Sequence, residues 1–212
     1  MTAQIVLRYN QLCASKSDIN EHLPTLKSYA EKCQTVAEFG VRSVVSTWAL
    51  LAGLAASKEA GPKRLDCVDI EPVDMVVVAA IAAEAQIELI FQRADSVKAN
   101  LPAGVDMLFI DSWHVYGHLK RELAAHHAHV RKFIAMHDTE IDGVRGQSIR
   151  VYSAAEYSKA IARDASQYGY TVDEVAAGLR PAINEFIAEH PEWVIDRIDT
   201  NNNGLTVLRR IA

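Results

Sequence analysis

Val105-Asp-Met-Leu-Phe-Ile-Asp-Ser-Trp-His-Val-Tyr116 is an apolar run that ends in an acid, an indole, an imidazole and a phenol. In an open α/β sheet the strand interiors are hydrophobic because both faces are covered, and ligands sit beyond the carboxyl ends of the strands at the crossover point. Asp111 therefore reads as a site residue. A second run, Phe133-Ile-Ala-Met-His137-Asp138, stops the same way. Two neighbouring strand ends can then converge on one reacting atom.

Working outward, strand and helix alternate. Residues 35–40 predict a first strand and turn, and residues 43–57 a helix too apolar for a surface position. A second strand follows over 65–70, then a helix over 72–85 opened by Pro72, and a third strand over 87–92. Strands four and five, 105–110 and 132–136, flank a helix over 117–130. This repeated βαβ order predicts a mostly parallel sheet. A helix over 178–189 leads to two strands, 192–199 and 205–210, around Asn201-Asn-Asn-Gly204, a turn that asks for positive φ. The expectation is an α/β, Rossmann-like, seven-stranded sheet with a closing antiparallel hairpin and helices on both faces. It forms one domain over 1–212, with a helical cover over 1–34 and a poorly patterned lid or binding segment over 139–177.

Composition narrows the function. The chain has 212 residues, half of them apolar, enough to bury a proper core, and a formal charge of −5 that argues against a phosphate-gripping surface. Nucleic acid is therefore not an expected partner. Cys13, Cys33 and Cys67 are odd in number and lack CxxC spacing, which suits reduced thiols. No apolar run reaches the roughly 18 residues needed to span a bilayer, and residues 1–20 lack the pattern of an export signal. A cytoplasmic protein with no membrane partner, compatible with a homo-oligomer, is the expectation.

The first turn, Glu38-Phe-Gly40-Val-Arg-Ser-Val-Val-Ser46-Thr47, lacks GxGxxG, so a dinucleotide enzyme is disfavoured. One glycine, a strand-end carboxylate and hydroxyls at a helix start suit a smaller zwitterionic ligand, although Ser46 is also a candidate cap. Val68-Asp69-Ile-Glu71-Pro72 ends the second strand in acids. An acid at this position accepts hydrogen bonds from a ribose in nucleotide-binding sheets.

The ordered series Glu38-Phe-Gly40, Val68-Asp-Ile-Glu-Pro72, Ala94-Asp-Ser96, Val105 to Asp111, Met136-His-Asp138 and the closing hairpin resembles class I S-adenosylmethionine-dependent methyltransferases. Within that class the Asp-x-Trp-His-x-Tyr and Met-His-Asp-Thr segments are most similar to small O-methyltransferases of the cephalosporin hydroxylase, macrocin and rhamnosyl sugar-methyltransferase kind. The resemblance implies S-adenosylmethionine as cofactor. It places Glu38 and Gly40 at the methionine moiety, Ser46 near its carboxylate, Asp69 at the ribose, and Asp95 with Ser96 at the adenine. Asp111 and Trp113 line the cofactor site, with Arg42 in a variable loop beside it. Val44 stands where many members carry a second glycine.

Two mechanisms fit the strand ends. His114 or His137, oriented by Asp111 or Asp138, can act as a general base on an acceptor hydroxyl. Alternatively Asp111, Asp138 and His137 hold a divalent ion such as magnesium or manganese, as in metal-dependent relatives. The expected function is methyl transfer to a hydroxyl of a sugar or glycan, the acceptor entering beneath 139–177 with Tyr116, His118, Arg145, Arg150 and Tyr152 as candidate contacts. A metal-dependent catechol or phenol methyltransferase, and a catalytically inactive cofactor-binding interaction module, are the alternatives. His126, His127 and His129 read as surface residues of a charged helix.

Overall fold

The computed structural model describes residues 2–153 and 155–211. The chain opens with α1 (Ala3–Ala14), a 3-10 turn (Asn20–His22) and α2 (Leu23–Ala30). There follow β1 (Thr35–Phe39), α3 (Val45–Ala56), β2 (Lys63–Asp69), α4 (Val76–Glu84), β3 (Ile87–Arg93), β4 (Val105–Ile110), α5 (Tyr116–His126) and β5 (Val130–His137). After β5 come α6 (Gln147–Val151), α7 (Tyr157–Tyr168), α8 (Val172–Ala176), α9 (Leu179–Glu189) and the strands β6 (Trp193–Asp199) and β7 (Leu205–Arg210).

The seven strands order as β3-β2-β1-β4-β5-β7-β6, with β1 to β5 parallel and β7 antiparallel to both its neighbours. Both the sheet and its closing hairpin match the expectation. Alternation along each strand sorts side chains to two cores. Val36, Met107, Phe109, Phe133 and Ala135 pack with α1, α2, α3 and α4, whereas Ala37, Phe39, Leu108, Ile110 and Ile134 pack with α5 and α9. Burial on both faces explains why β4 reads as an unbroken hydrophobic run. Asp106, 1 % exposed, is the exception, and it accepts from the Gln34 amide and Arg131 Nε at the start of the strand.

Some boundaries differ from the sequence reading. The helix after β2 begins at Val76 rather than 72, with Met75 at its N-cap and Asp74 Oδ1 accepting from the Val76 amide in the turn before it. The helix after β4 stops at His126 and tightens into a 3-10 turn, His127–His129. The segment after β5 is more regular than its weak pattern suggests. Gly169, at φ +72°, ends α7, and a Thr171–Glu174 capping box starts α8.

The carboxyl edge of the sheet is tied together by backbone bonds between successive turns. The amides of Gly40, Ala94 and Asp111 donate to Val68, Asp69 and Phe39 carbonyls at 2.8–2.9 Å. A Cβ on Gly40 would lie 2.0 Å from the Asp111 carbonyl oxygen, so only glycine allows β1 and β4 to end this close together. No helix among the described residues is long and apolar enough to cross a membrane.

Candidate functional site

A cavity of about 650 Å³ opens at this carboxyl edge, where the chain order reverses between β1 and β4. Gly40, Arg42, Asp69, Asp95, Ser96, Asp111 and Trp113 all line it, as do Tyr152, Tyr168 and Tyr170 from the segment after β5. Trp113 packs against Tyr168 and Tyr170 with ring centroids 5.0 and 5.5 Å apart, giving the cavity an aromatic wall. Asp69 accepts from the Val41 and Arg42 amides through Oδ2 and from the Glu71 amide through Oδ1, so this strand-end acid also shapes the β1 turn.

Beside the cavity the two strand ends converge. His114 Nε2 and His137 Nδ1 lie 3.1 and 3.2 Å from the same oxygen, Asp111 Oδ1. His114 Nδ1 is 2.8 Å from Asp138 Oδ2 and 3.4 Å from Asp142 Oδ2, and Arg150 clamps Asp142 from the far side with two bonds. Burial opposes ionisation of Asp111, but the two imidazoles outweigh it and hold the carboxyl well below its usual range. Burial likewise opposes a charge on His114, but Asp111, Asp138 and Asp142 outweigh it and raise the imidazole well above its ordinary value. His137 is raised in the same way, chiefly by Asp111 acting against burial.

The two histidines are not equivalent. His137 is 2 % exposed, and its Nε2 lies 3.2 Å from the Asn202 carbonyl, which can only accept. With Nδ1 on Asp111, both nitrogens of His137 donate, so this ring orients Asp111 and has no lone pair to offer. His114 Nδ1, although close to Asp138, is buried without hydrogen-bond geometry to any partner among the described residues, as is Asp138 Oδ1. The ligand atoms of Asp111, His114 and Asp138 lie within 4.8 Å of one another. Of the two rings, His114 rather than His137 completes the group that can hold an ion.

Other expected site residues take different roles. Glu38 is fully buried behind the cavity wall, where Ser46 Oγ donates to Oε1 at 2.5 Å and Thr47 Oγ1 to Oε2 at 2.7 Å. Ser46 lies inside α3, whose N-cap is Val44, and it does not line the cavity, its hydroxyl donating to Glu38 instead. Val44 holds the N-cap of α3 at φ +61°, the backbone a glycine would adopt there. Arg42 lines the cavity while its guanidinium grips Asp18.

Of the suggested acceptor contacts, His118 and Tyr152 line the same cavity as Asp111, whereas Tyr116, Arg145 and Arg150 do not. The Tyr116 hydroxyl donates to Glu185, and Arg150 is committed to Asp142. Tyr152 accepts from Arg163 at the cavity rim. Arg145 is exposed and bridges to Ala177. His118 is buried under Trp113, 3.0 Å from Ser96 Oγ and 2.8 Å from the Tyr170 hydroxyl. His126 is also buried rather than superficial, with Nε2 2.7 Å from the Ser96 carbonyl. Glu122, between them and fully buried, accepts from Ser112 and faces His118. The spacing His118, Glu122, His126 puts all three on the inner face of α5, a signal the sequence reading passed over. Asp142 carries no such signal, since a loop folded by Arg150 delivers it.

Residues 37–139, just under half of the chain, match the Methyltransf_24 family, described as a methyltransferase domain. Solved structures that superpose on the chain include cofactor-bound Rv0187 from MTB, at 17% identity and a TM-score of 0.57 over 98% of this chain and 88% of that one. The Bacillus cereus O-methyltransferase in complex with SAH superposes at 14% identity and 0.55, covering 100% and 92%. The Burkholderia thailandensis 1,6-didemethyltoxoflavin-N1-methyltransferase, with bound 1,6-didemethyltoxoflavin and S-adenosylhomocysteine, does so at 13% identity and 0.59, covering 99% and 87%. The protein therefore has the class I methyltransferase fold. These neighbours include an O- and an N1-methyltransferase, so the fold by itself leaves the acceptor atom open. No curated protein matches the chain in sequence.

Proposed function

We propose that the protein is an S-adenosylmethionine-dependent O-methyltransferase acting on a hydroxyl of a small polar acceptor, a sugar or glycan. The observation that carries this reading is Asp111, which lines the cavity and at the same time orients His114 and His137. Neighbours solved with S-adenosylhomocysteine support the cofactor. Asp69 would take the ribose, and Trp113 with Tyr168 the adenine. The sugar acceptor rests on the sequence resemblance of the Asp111–Tyr116 and Met136–Thr139 segments.

Methyl transfer is an in-line displacement in which the acceptor oxygen attacks the methyl carbon, the carbon–sulfur bond breaks toward sulfur, and the hydroxyl proton leaves. In this reading His114, whose Nδ1 lacks hydrogen-bond geometry to any partner among the described residues, receives that proton. Asp111, Asp138 and Asp142 outweigh burial and raise the affinity of its imidazole for a proton. A sulfonium held beside Asp111 would compete for the same carboxylate and would favour the neutral, proton-accepting form of His114.

A second reading is favoured by the unpartnered His114 Nδ1 and Asp138 Oδ1. Asp111, His114 and Asp138 are a donor set that suits a divalent cation, and an ion there would lower the acceptor hydroxyl's pKa and favour an acceptor such as catechol. An inactive cofactor-binding module is disfavoured by the assembled cluster. Single-turnover assays with methyl-labelled S-adenosylmethionine and parallel panels of monosaccharides and phenols, with and without chelator, separate the three. Chelator-resistant sugar methylation is the expected result. Chelator-sensitive phenol methylation, or cofactor binding with no transfer to any acceptor, would replace this reading.

A further inference from the structure

A second convergence of imidazole and carboxylate lies at the opposite edge of the sheet, where the parallel strands begin. The 3-10 turn His127–His129 leads into β5 at Val130, and His190 and Glu192 precede β6 at Trp193. One ligand atom from each of His127, His190 and Glu192 lies within 4.8 Å of the other two. The two imidazole centroids are 4.2 Å apart, and His190 Nδ1 is 3.3 Å from Glu192 Oε1.

These dimensions and the local hydrogen bonding suit a metal. Zinc bonds of about 2.0–2.1 Å in a tetrahedron separate neighbouring ligands by about 3.3 Å, so the His190–Glu192 pair already has the required spacing. His127 Nδ1 is 2.8 Å from the Leu123 carbonyl oxygen, which can only accept, so the proton sits on Nδ1 and the Nε2 lone pair is free to bind a cation. Metal-ligating histidines are commonly oriented by such an outer bond. Phe186, buried beneath them, packs against both imidazoles at 5.4 and 4.7 Å and limits their rotation. His190 and Glu192 are 28 and 26 % exposed, which gives an ion access and leaves room for water to complete its coordination.

We propose that His127, His190 and Glu192 form a binding site for a zinc-class divalent cation. Two imidazoles with one carboxylate favour a borderline-soft ion over magnesium or calcium. The ion would join the approach to β5 to the approach to β6, His127 and His190 being 63 positions apart in sequence, at the edge of the sheet remote from the cavity. This site is independent of the methyltransferase reading and of any ion at Asp111.

The test uses tag-free protein titrated with zinc chloride by calorimetry, with thermal unfolding followed in parallel. Zinc is expected to bind and raise Tm in the wild type. The double variant His127→Gln/His190→Gln should bind at least about tenfold more weakly and lose the Tm rise, and Glu192→Gln should show a smaller loss. The variant Asp111→Asn/His114→Gln should keep both responses. Anomalous diffraction at the zinc edge from wild-type crystals, which does not depend on any variant folding, should place a peak between the three side chains. Unchanged zinc binding in the His127/His190 variant, loss of the response only in the Asp111/His114 variant, or no peak at the site would overturn the assignment.

Discussion

Glu38 and Asp111 are carboxylates at the ends of neighbouring strands, β1 and β4, yet their surroundings drive them in opposite directions. Glu38 is fully buried with only Ser46, Thr47 and a distant Cys67 thiol as donors, and burial outweighs them and pushes its carboxyl up to about 7. Asp111 faces two imidazoles and stays ionised against the same opposing effect of burial. Neutral hydroxyls satisfy a buried acid without compensating its charge, whereas cationic partners do both. The first arrangement builds a wall, and the second holds a permanent charge beside a cavity.

The strongest way to break this comparison is to make Asp111 neutral. Asp111→Asn should lower single-turnover methyl transfer roughly 10³-fold, because both imidazoles lose the charged oxygen that orients them. Retention of near-normal turnover would mean that the cluster takes no part in the reaction.

The converse substitution tests the wall. The folded carboxyl of Glu38 lies at about 7, above its ordinary 4.5, so its protonated form is the one favoured by folding. Its contribution is fully present below pH 4.5 and is lost as pH rises through about 7, amounting to about 3 kcal/mol across that window. Urea unfolding of wild type and Glu38→Gln at pH 5 and pH 8 isolates this contribution as the difference between their slopes. The variant should be flatter, and equal slopes would remove the contrast with Asp111.

The two imidazoles on Asp111 should also separate. His114→Gln should lower turnover roughly 10²-fold, while His137→Gln, which removes only an orienting donor, should cost about tenfold. The reverse ranking would exchange their roles, and near-normal rates in both would remove the two rings from the reaction, His114 both as base and as metal ligand. The smallest effect is expected at the aromatic wall. Tyr168→Ala should weaken S-adenosylhomocysteine binding by about tenfold through the lost stacking against Trp113, measured by calorimetry.

The legible parts of the chain were those where one physical constraint acts alone. An apolar run buried on both faces must stop where the sheet stops, so β4 and β5 and their terminal Asp111 and His137 could be read directly, and Asn201-Asn-Asn-Gly204 announced the hairpin. The cavity-lining positions Gly40, Asp69, Asp95 and Trp113 followed from the turns after successive strands. What escaped depends on tertiary contact. Ser46 has the sequence of a cap but spends its hydroxyl on Glu38, and His126 looks like a surface histidine until α5 turns it inward onto Ser96. His114 owes its setting to Gln147, whose side chain accepts from its amide and whose own amide donates to its carbonyl, tying the segment after β5 to the strand end. No local pattern in residues 139–177 records that clamp.

The cavity between Asp69 and Trp113 is the proposed S-adenosylmethionine site, beside an Asp111 carboxylate that two imidazoles keep ionised. Calorimetric titration of the wild-type protein with S-adenosylhomocysteine and, separately, with NADH tests it most directly. Saturable binding of S-adenosylhomocysteine, weakened in Trp113→Ala, and no binding of NADH are expected. Preferential binding of NADH, or S-adenosylhomocysteine affinity unchanged by Trp113→Ala, would contradict it.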